Sequence, residues 1–254
     1  MRAGTKWAMA VVVLSGLGGL AYSVEMAWRA EFRNPNASPA RIHAIGRQLY
    51  FNGVIKRGDD ERLARAYADS WLQPDTFVVN SGGGATMAAI GMGRFIRQHG
   101  MKVEVIKNCF SSCANYLFPA GSKIILHASS ALGWHGGARS RPRNFALTID
   151  GQEASEAETA KYMQTDPEFL AWRKAEEGLF RALGIGALLP VCGQTDSFVA
   201  SALRDENIGL FDYRVADLRR FGVRNIQFTD GEEAWERNQR ERKIYRAHYC
   251  ERQA

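Results

Sequence analysis

A parallel α/β sheet with crossover helices is the fold class that the sequence predicts, and three observations predict it. Short apolar and β-branched runs recur at residues 49–55, 76–80, 102–106 and 123–126, the pattern of strands buried on both faces. Stretches of helical period separate them at about 63–70, 87–99 and 112–119. Strand and helix alternate throughout, and that order favours a parallel sheet with right-handed crossovers.

The elements follow in chain order. Residues 7–24 carry no charge and are preceded by Arg2 and Lys6. A run of this length just reaches across a bilayer, where about 20 apolar residues are needed. Residues 1–26 therefore read as a membrane anchor or export signal, with an uncleaved anchor preferred because only Ala21-Tyr22-Ser23 resembles a cleavage site. The expectation is a single-pass inner-membrane protein whose folded domain lies in the periplasm, or an exported one if the signal is cleaved. Residues 27–41 read as a linker, since Pro35 and Pro39 stand among turn formers. The folded domain is expected over 42–226, with an enlarged helical insertion at 138–195. The Glu- and Arg-rich residues 227–254 read as a charged helical tail, because Glu233 and Arg237, and Glu236 and Arg240, are spaced as on one helix face.

Composition bounds the function. The 254 residues include 33 Lys and Arg against 27 Asp and Glu, a net charge of +6 spread along the chain. Nucleic acid is therefore not an expected partner. Cys109, Cys113, Cys192 and Cys250 form no CxxC and no zinc spacing with histidine, so neither a metal nor a cofactor is expected. In a chain with an export-like start, an even cysteine number predicts disulfides, and three pairings are open. Four buried thiols are the alternative, and a thiol redox role for Cys109 and Cys113 is a further one.

Chemistry concentrates in three segments. Asn80-Ser81-Gly82-Gly83-Gly84 ends a strand in three glycines, which can aim bare N–H groups at an oxygen. It is not a P-loop, for no Gly-Lys-Ser/Thr follows. Lys107-Asn-Cys-Phe-Ser-Ser-Cys-Ala114 is a small polar strand-to-helix turn whose Ser111 or Ser112 could be a helix cap or a nucleophile. Leu132-Gly-Trp-His-Gly-Gly137 sets one histidine among glycines. Together they supply a hydroxyl, a base and oxyanion donors, which acyl transfer requires.

These segments resemble the Clp protease proteolytic subunit and its relatives in the ClpP/crotonase fold, and more narrowly the periplasmic ClpP-like proteins of bacteria. The family shows Asn-Ser-Pro-Gly-Gly where this chain has Asn80-Ser-Gly-Gly-Gly84. Its catalytic serine opens a helix ending in Ala-Gly, as Ser112 precedes Ala120-Gly121, and its histidine follows by about two dozen residues, as His135 does. Phe51-Asn-Gly-Val-Ile55 resembles the family's opening strand and turn. The resemblance covers residues 49–137 well. It implies Ser112 as nucleophile, with Ser111 as the alternate, His135 as general base, and the N–H groups of Gly83 or Gly84 and of Cys113 as oxyanion donors. The family's acid would fall near Leu210, where this chain has none, and Asp212 is the acid assigned in its place. The implied activity is a membrane-anchored serine peptidase acting on a peptide or protein substrate, with a homo-oligomer possible. A catalytically inactive binding or assembly module and a crotonase-like acyl-CoA enzyme are the alternatives.

Overall fold

The computed structural model describes residues 34–250. The expected anchor and the first part of the expected linker lie outside the described residues. Among the described residues no helix is long and apolar enough to cross a membrane.

The chain forms a mixed α/β fold around a mostly parallel sheet. Strand β1 (Arg41–Ile45) turns at Gly46, where φ is 57°, into β2 (Gln48–Asn52), and the two pair antiparallel. Then follow helix α1 (Asp59–Ala68), β3 (Thr76–Ser81), α2 (Thr86–Gln98), β4 (Lys102–Phe110) and β5 (Ile124–Leu126). The order across the sheet is β1, β2, β3, β4, β5 and, after a long excursion, β10 (Ile226–Phe228), with every pair beyond β1–β2 parallel. Strand β4 runs past the end of β5, so its last residues, Asn108 to Phe110, pair with β6 (Ala131–Gly133). Hence β4 exceeds the predicted 102–106, a stretch legible only where its apolar alternation holds. The register between β3 and β4 shifts after Val79, so that Ser81 faces Cys109.

One face of the sheet carries the core. Leu49, Phe51, Phe77, Val79, Val103 and Val105 are buried beside Leu63 of α1 and Ile90, Met92 and Ile96 of α2. On the opposite face Asn80 Nδ2 donates to Asn52 Oδ1 (2.8 Å), and Asn108 Nδ2 donates to Asn80 Oδ1 (3.3 Å). Each partner is 28 residues from the last, so successive strand-to-helix turns stack at the same end of the sheet.

The segment after β6 contains a β7–β8 hairpin (Thr148–Ile149, Gln152–Glu153), α3 (Glu156–Thr165) and α4 (Pro167–Leu183). Asp166 caps α4 and Pro167 opens it, which divides the predicted helical stretch in two. Then come α5 (Asp196–Arg204), β9 (Phe211–Asp212), α6 (Val215–Arg220), β10, α7 (Glu232–Glu241) and β11 (Tyr245–Arg246).

Both ends of the described chain depart from the sequence reading. Residues 34–37 are bound to the domain, because Gly82 N donates to Pro35 O (3.0 Å) and Val54 N donates to Ala37 O (3.0 Å). The charged C-terminal stretch is part of the fold: β10 extends the main sheet, Trp235 and Gln239 of α7 are fully buried, and β11 pairs with β9. Cys109 is bonded to Cys113, and Cys192 to Cys250, with Cα separations of 5.1 and 5.7 Å.

Candidate active site

The parallel strands β3 and β4 deliver the glycine loop and the serine turn to one end of the sheet, and β6, paired to the end of β4, delivers His135. Ser111 sits where β4 stops. Its φ is 54°, a left-handed conformation that costs a non-glycine residue about 1–3 kcal/mol and persists only when its surroundings hold it. Two backbone bonds do so. Ser111 N donates to Gly133 O (2.8 Å), and Asn115 N donates to Ser111 O (2.8 Å). The following helix is a π turn, Cys113–Leu117, running into a 3-10 turn, Phe118–Ala120, that contains Pro119. The sequence predicts ordinary helix here. A π turn has no distinct side-chain signature, and such turns often mark functional positions.

The strained turn aims Ser111 at the histidine. Ser111 Oγ lies 2.6 Å from His135 Nε2, a hydrogen bond that the hydroxyl donates when the ring carries its proton on Nδ1. Ser112, the expected nucleophile, is turned inward: it is 2 % exposed, and its Oγ donates to Gly84 O (2.7 Å). The hydroxyl that meets the histidine is thus that of the alternate, Ser111. The exchange follows from one backbone angle, since a left-handed residue at the turn rotates its side chain out and sends the next one in.

His135 is solvent-exposed along part of its surface, yet protein crowds the ring enough to strip its hydration, and this desolvation pushes its pKa below the usual histidine value. Asp212, expected to orient the ring, does not. Trp134 pairs with Phe211, which draws β9 alongside the histidine strand, and Leu210 covers Gly133 there. The fully buried Asp212 carboxylate is held by Arg246, through Nε (2.7 Å) and Nη2 (3.0 Å), and by Gln239 Nε2 (3.0 Å). Among the described residues no carboxylate bonds His135, so the pair stands as a serine–histidine dyad.

The glycine loop abuts this turn. At Gly83, where φ is 95°, an added Cβ would fall 2.7 Å from Ser111 Cβ and 3.0 Å from Ser112 N, so only glycine allows the approach. Gly83 N donates to Ser81 Oγ (3.1 Å) and Gly83 O accepts from Ile55 N (2.8 Å), which fixes the loop against the turn after β2. Gly84 is exposed, and its N–H has no acceptor among the described residues. With Ser111 as the reacting group the donors are Gly84 N and the N–H of the next residue, Ser112. Cys113, the expected donor, is one place too far along, and its sulfur is bonded to Cys109.

Three further residues brace the dyad. Gln194 Nε2 donates to His135 O (2.8 Å) and to Asn144 O (3.2 Å). Asn115 Nδ2, on the serine side, donates to Gly136 O (2.9 Å). Glu176 of α4, 1 % exposed, accepts from Tyr116 Oη (2.6 Å) and from Ala138 N (3.3 Å), and burial pushes its pKa up against the pull of those donors. It thereby ties the segment after Ser111 to the segment after His135. Sequence reasoning missed all three, because a buried Glu on a helix carrying Lys174 and Glu177 has no pattern of its own.

The bond between Cys109 and Cys113 spans the strained serine. Replacing both cysteines with alanine should cost about 2 kcal/mol for so short a loop and should slow capture of Ser111 by a fluorophosphonate about 10-fold or more, since small misplacements of a reacting group are expensive. Thermal melts and fluorophosphonate labelling rates check the two parts.

Among known proteins, no family model matches the chain, and no curated protein matches it. Among solved structures it is similar to an enoyl-CoA hydratase from Bacillus anthracis, with a TM-score of 0.31 and 11% identity, over 65% of this chain and 83% of that one. A likeness of this size does not bear on the reaction.

Proposed function

We infer that the domain is a serine hydrolase of ClpP-like kind that cleaves peptide bonds, and the 2.6 Å contact between Ser111 Oγ and His135 Nε2 carries the reading. Ser111 attacks the carbonyl as His135 takes its proton, and His135 then returns that proton to the leaving amine. Gly84 N and Ser112 N receive the developing oxyanion, each such donor being worth about 3 kcal/mol in the transition state. With no acid on its other nitrogen among the described residues, the ring depends on Gln194 and the Gly136–Ala138 contacts for its position. Two disulfides fit an oxidising compartment, and residues 7–24 would hold the domain at the membrane, facing the periplasm.

The alternative is an acyl-CoA enzyme, which would use the same glycine N–H groups as oxyanion donors. A polarised thioester needs the glycine N–H groups but not a strained serine bonded to a histidine. Incubation with a fluorogenic peptide library and, separately, with an enoyl-CoA decides between them. Peptide cleavage is expected, and hydration of the enoyl thioester without peptide cleavage would establish the alternative.

The pH dependence follows from His135. Its folded pKa is lowered, so the ring remains an unprotonated base down to below the usual value of 6.5. The acid limb of the labelling rate should therefore be centred below pH 6.5. An acid limb centred above 6.5 would contradict the desolvated base.

A further inference from the structure

Three cavities that share lining residues form a groove beside the dyad, and the first, of about 240 Å³, is lined by His135, Phe145, Glu153 and Phe198 together with Arg143, Asn144 and Gln194. Those last three also line a second cavity of about 590 Å³, together with Arg139 and Arg141. Arg139, Leu188 and Cys250 in turn join it to a third, of about 520 Å³, where Arg181 stands beside Ile185 and Phe221. The Cys192–Cys250 bond fixes the C-terminal segment as one wall.

The groove is cationic. Across the three cavities Arg139, Arg141, Arg143 and Arg181 face Glu153, Glu177 and Asp196 as acids, which leaves a small positive excess. Arg139 pairs with Glu177 (2.7 Å) and Arg143 with Asp196 (2.9 Å), while Arg141 and Arg181 have no ion pair among the described residues. Both pairs are solvent-accessible, Asp196 being 87% exposed, and such pairs hold by about 0–1 kcal/mol. A carboxylate arriving in the groove can displace them at little cost. The apolar walls at Phe145, Phe198 and Phe221 suit side chains between the acids of an extended chain.

We propose that this groove seats an acidic polypeptide segment, so that substrates carry several Asp or Glu residues on one side of the bond presented to Ser111. The assignment rests on the hydrolase reading for the reaction, but not for the binding.

The test uses Ser111→Ala protein, which leaves peptides intact, and fluorescein-labelled dodecapeptides that are Glu-rich, Lys-rich or neutral, read by anisotropy. The Glu-rich peptide should bind about 10-fold or more tighter than the other two at low salt, with the gap shrinking at high salt. Adding Arg141→Glu and Arg181→Glu should weaken the Glu-rich peptide about 10-fold and strengthen the Lys-rich one. Equal binding of all three peptides, no effect of the charge reversals, or capture of coenzyme A in preference to the Glu-rich peptide would each overturn the proposal. Fluorophosphonate labelling of the unsubstituted protein runs alongside. Charge-selective binding without labelling would support the groove while refuting the hydrolase, and labelling without charge selectivity would do the reverse.

Discussion

Ser111→Ala is expected to abolish peptide cleavage and fluorophosphonate capture, while Ser112→Ala retains both. The first change removes the only hydroxyl bonded to His135 among the described residues, and the loss should be at least about 10³-fold in kcat/KM, the scale on which the parts of such a site matter. The second removes a bond from Ser112 Oγ to Gly84 O, worth about 1 kcal/mol of stability. It leaves the Ser112 N–H in place, since every residue but proline supplies one. Ser112→Ala should therefore melt a few degrees lower and react somewhat more slowly, as the Gly84 loop loosens. Steady-state cleavage and melting curves for the two variants check both halves, and the reverse order of severity would restore Ser112 as the nucleophile.

Arg246→Ala should be the most destabilising single change outside the dyad. Asp212 is fully buried and its carboxylate takes two bonds from that guanidinium. Removing one partner of a buried pair leaves a charge with only the Gln239 bond to offset its desolvation, at about 3–5 kcal/mol. Glu236, which also bonds Arg246 (3.0 Å), would lose a partner as well. Burial holds the Asp212 pKa up at about 6 against the pull of Arg246 and Gln239. A raised folded pKa means that the folded state takes up this proton before the unfolded one as pH falls, so the group favours folding more at pH 5 than at pH 8. Without Arg246 the pull is gone and the shift grows. The melting deficit of Arg246→Ala should accordingly be larger at pH 8 than at pH 5, and Asp212→Asn in the same chain should recover much of it. Asp212→Asn alone should keep its labelling rate, because the carboxylate supports the C-terminal segment and not the histidine. A large loss of labelling with the fold intact would return Asp212 to the catalytic set.

The sheet from β2 to β5 was legible because each strand is an apolar run between turn formers, and the helices between them show period 3.6. Strand β1 was not, since Arg41-Ile-His-Ala-Ile45 mixes charge with apolar residues as an edge strand does. The tail misled because α7 buries little more than Trp235 and Gln239, so its sequence reads as a solvated face. The glycine loop, the serine turn and the histidine stand out by residue type, and the family resemblance relates them to one another by spacing. Which serine meets the histidine could not be read, for it turns on the φ of a single residue that the sequence does not encode locally. The acid failed for a similar reason: the resemblance puts it near Leu210 and Asp212 is the carboxylate close by in sequence, but its side chain is claimed by Arg246, more than thirty residues on. Glu176 and Gln194 act through contacts made only by the tertiary fold.

The central claim is that the hydroxyl activated by His135 belongs to Ser111. Tandem mass spectrometry of the unsubstituted protein after fluorophosphonate treatment, on the peptide spanning Lys107 to Lys123, locates the adduct directly. A single phosphonyl group on Ser111 is the result the dyad predicts. An adduct on Ser112, or an unmodified peptide after prolonged treatment of folded protein at pH 7.5, would contradict it.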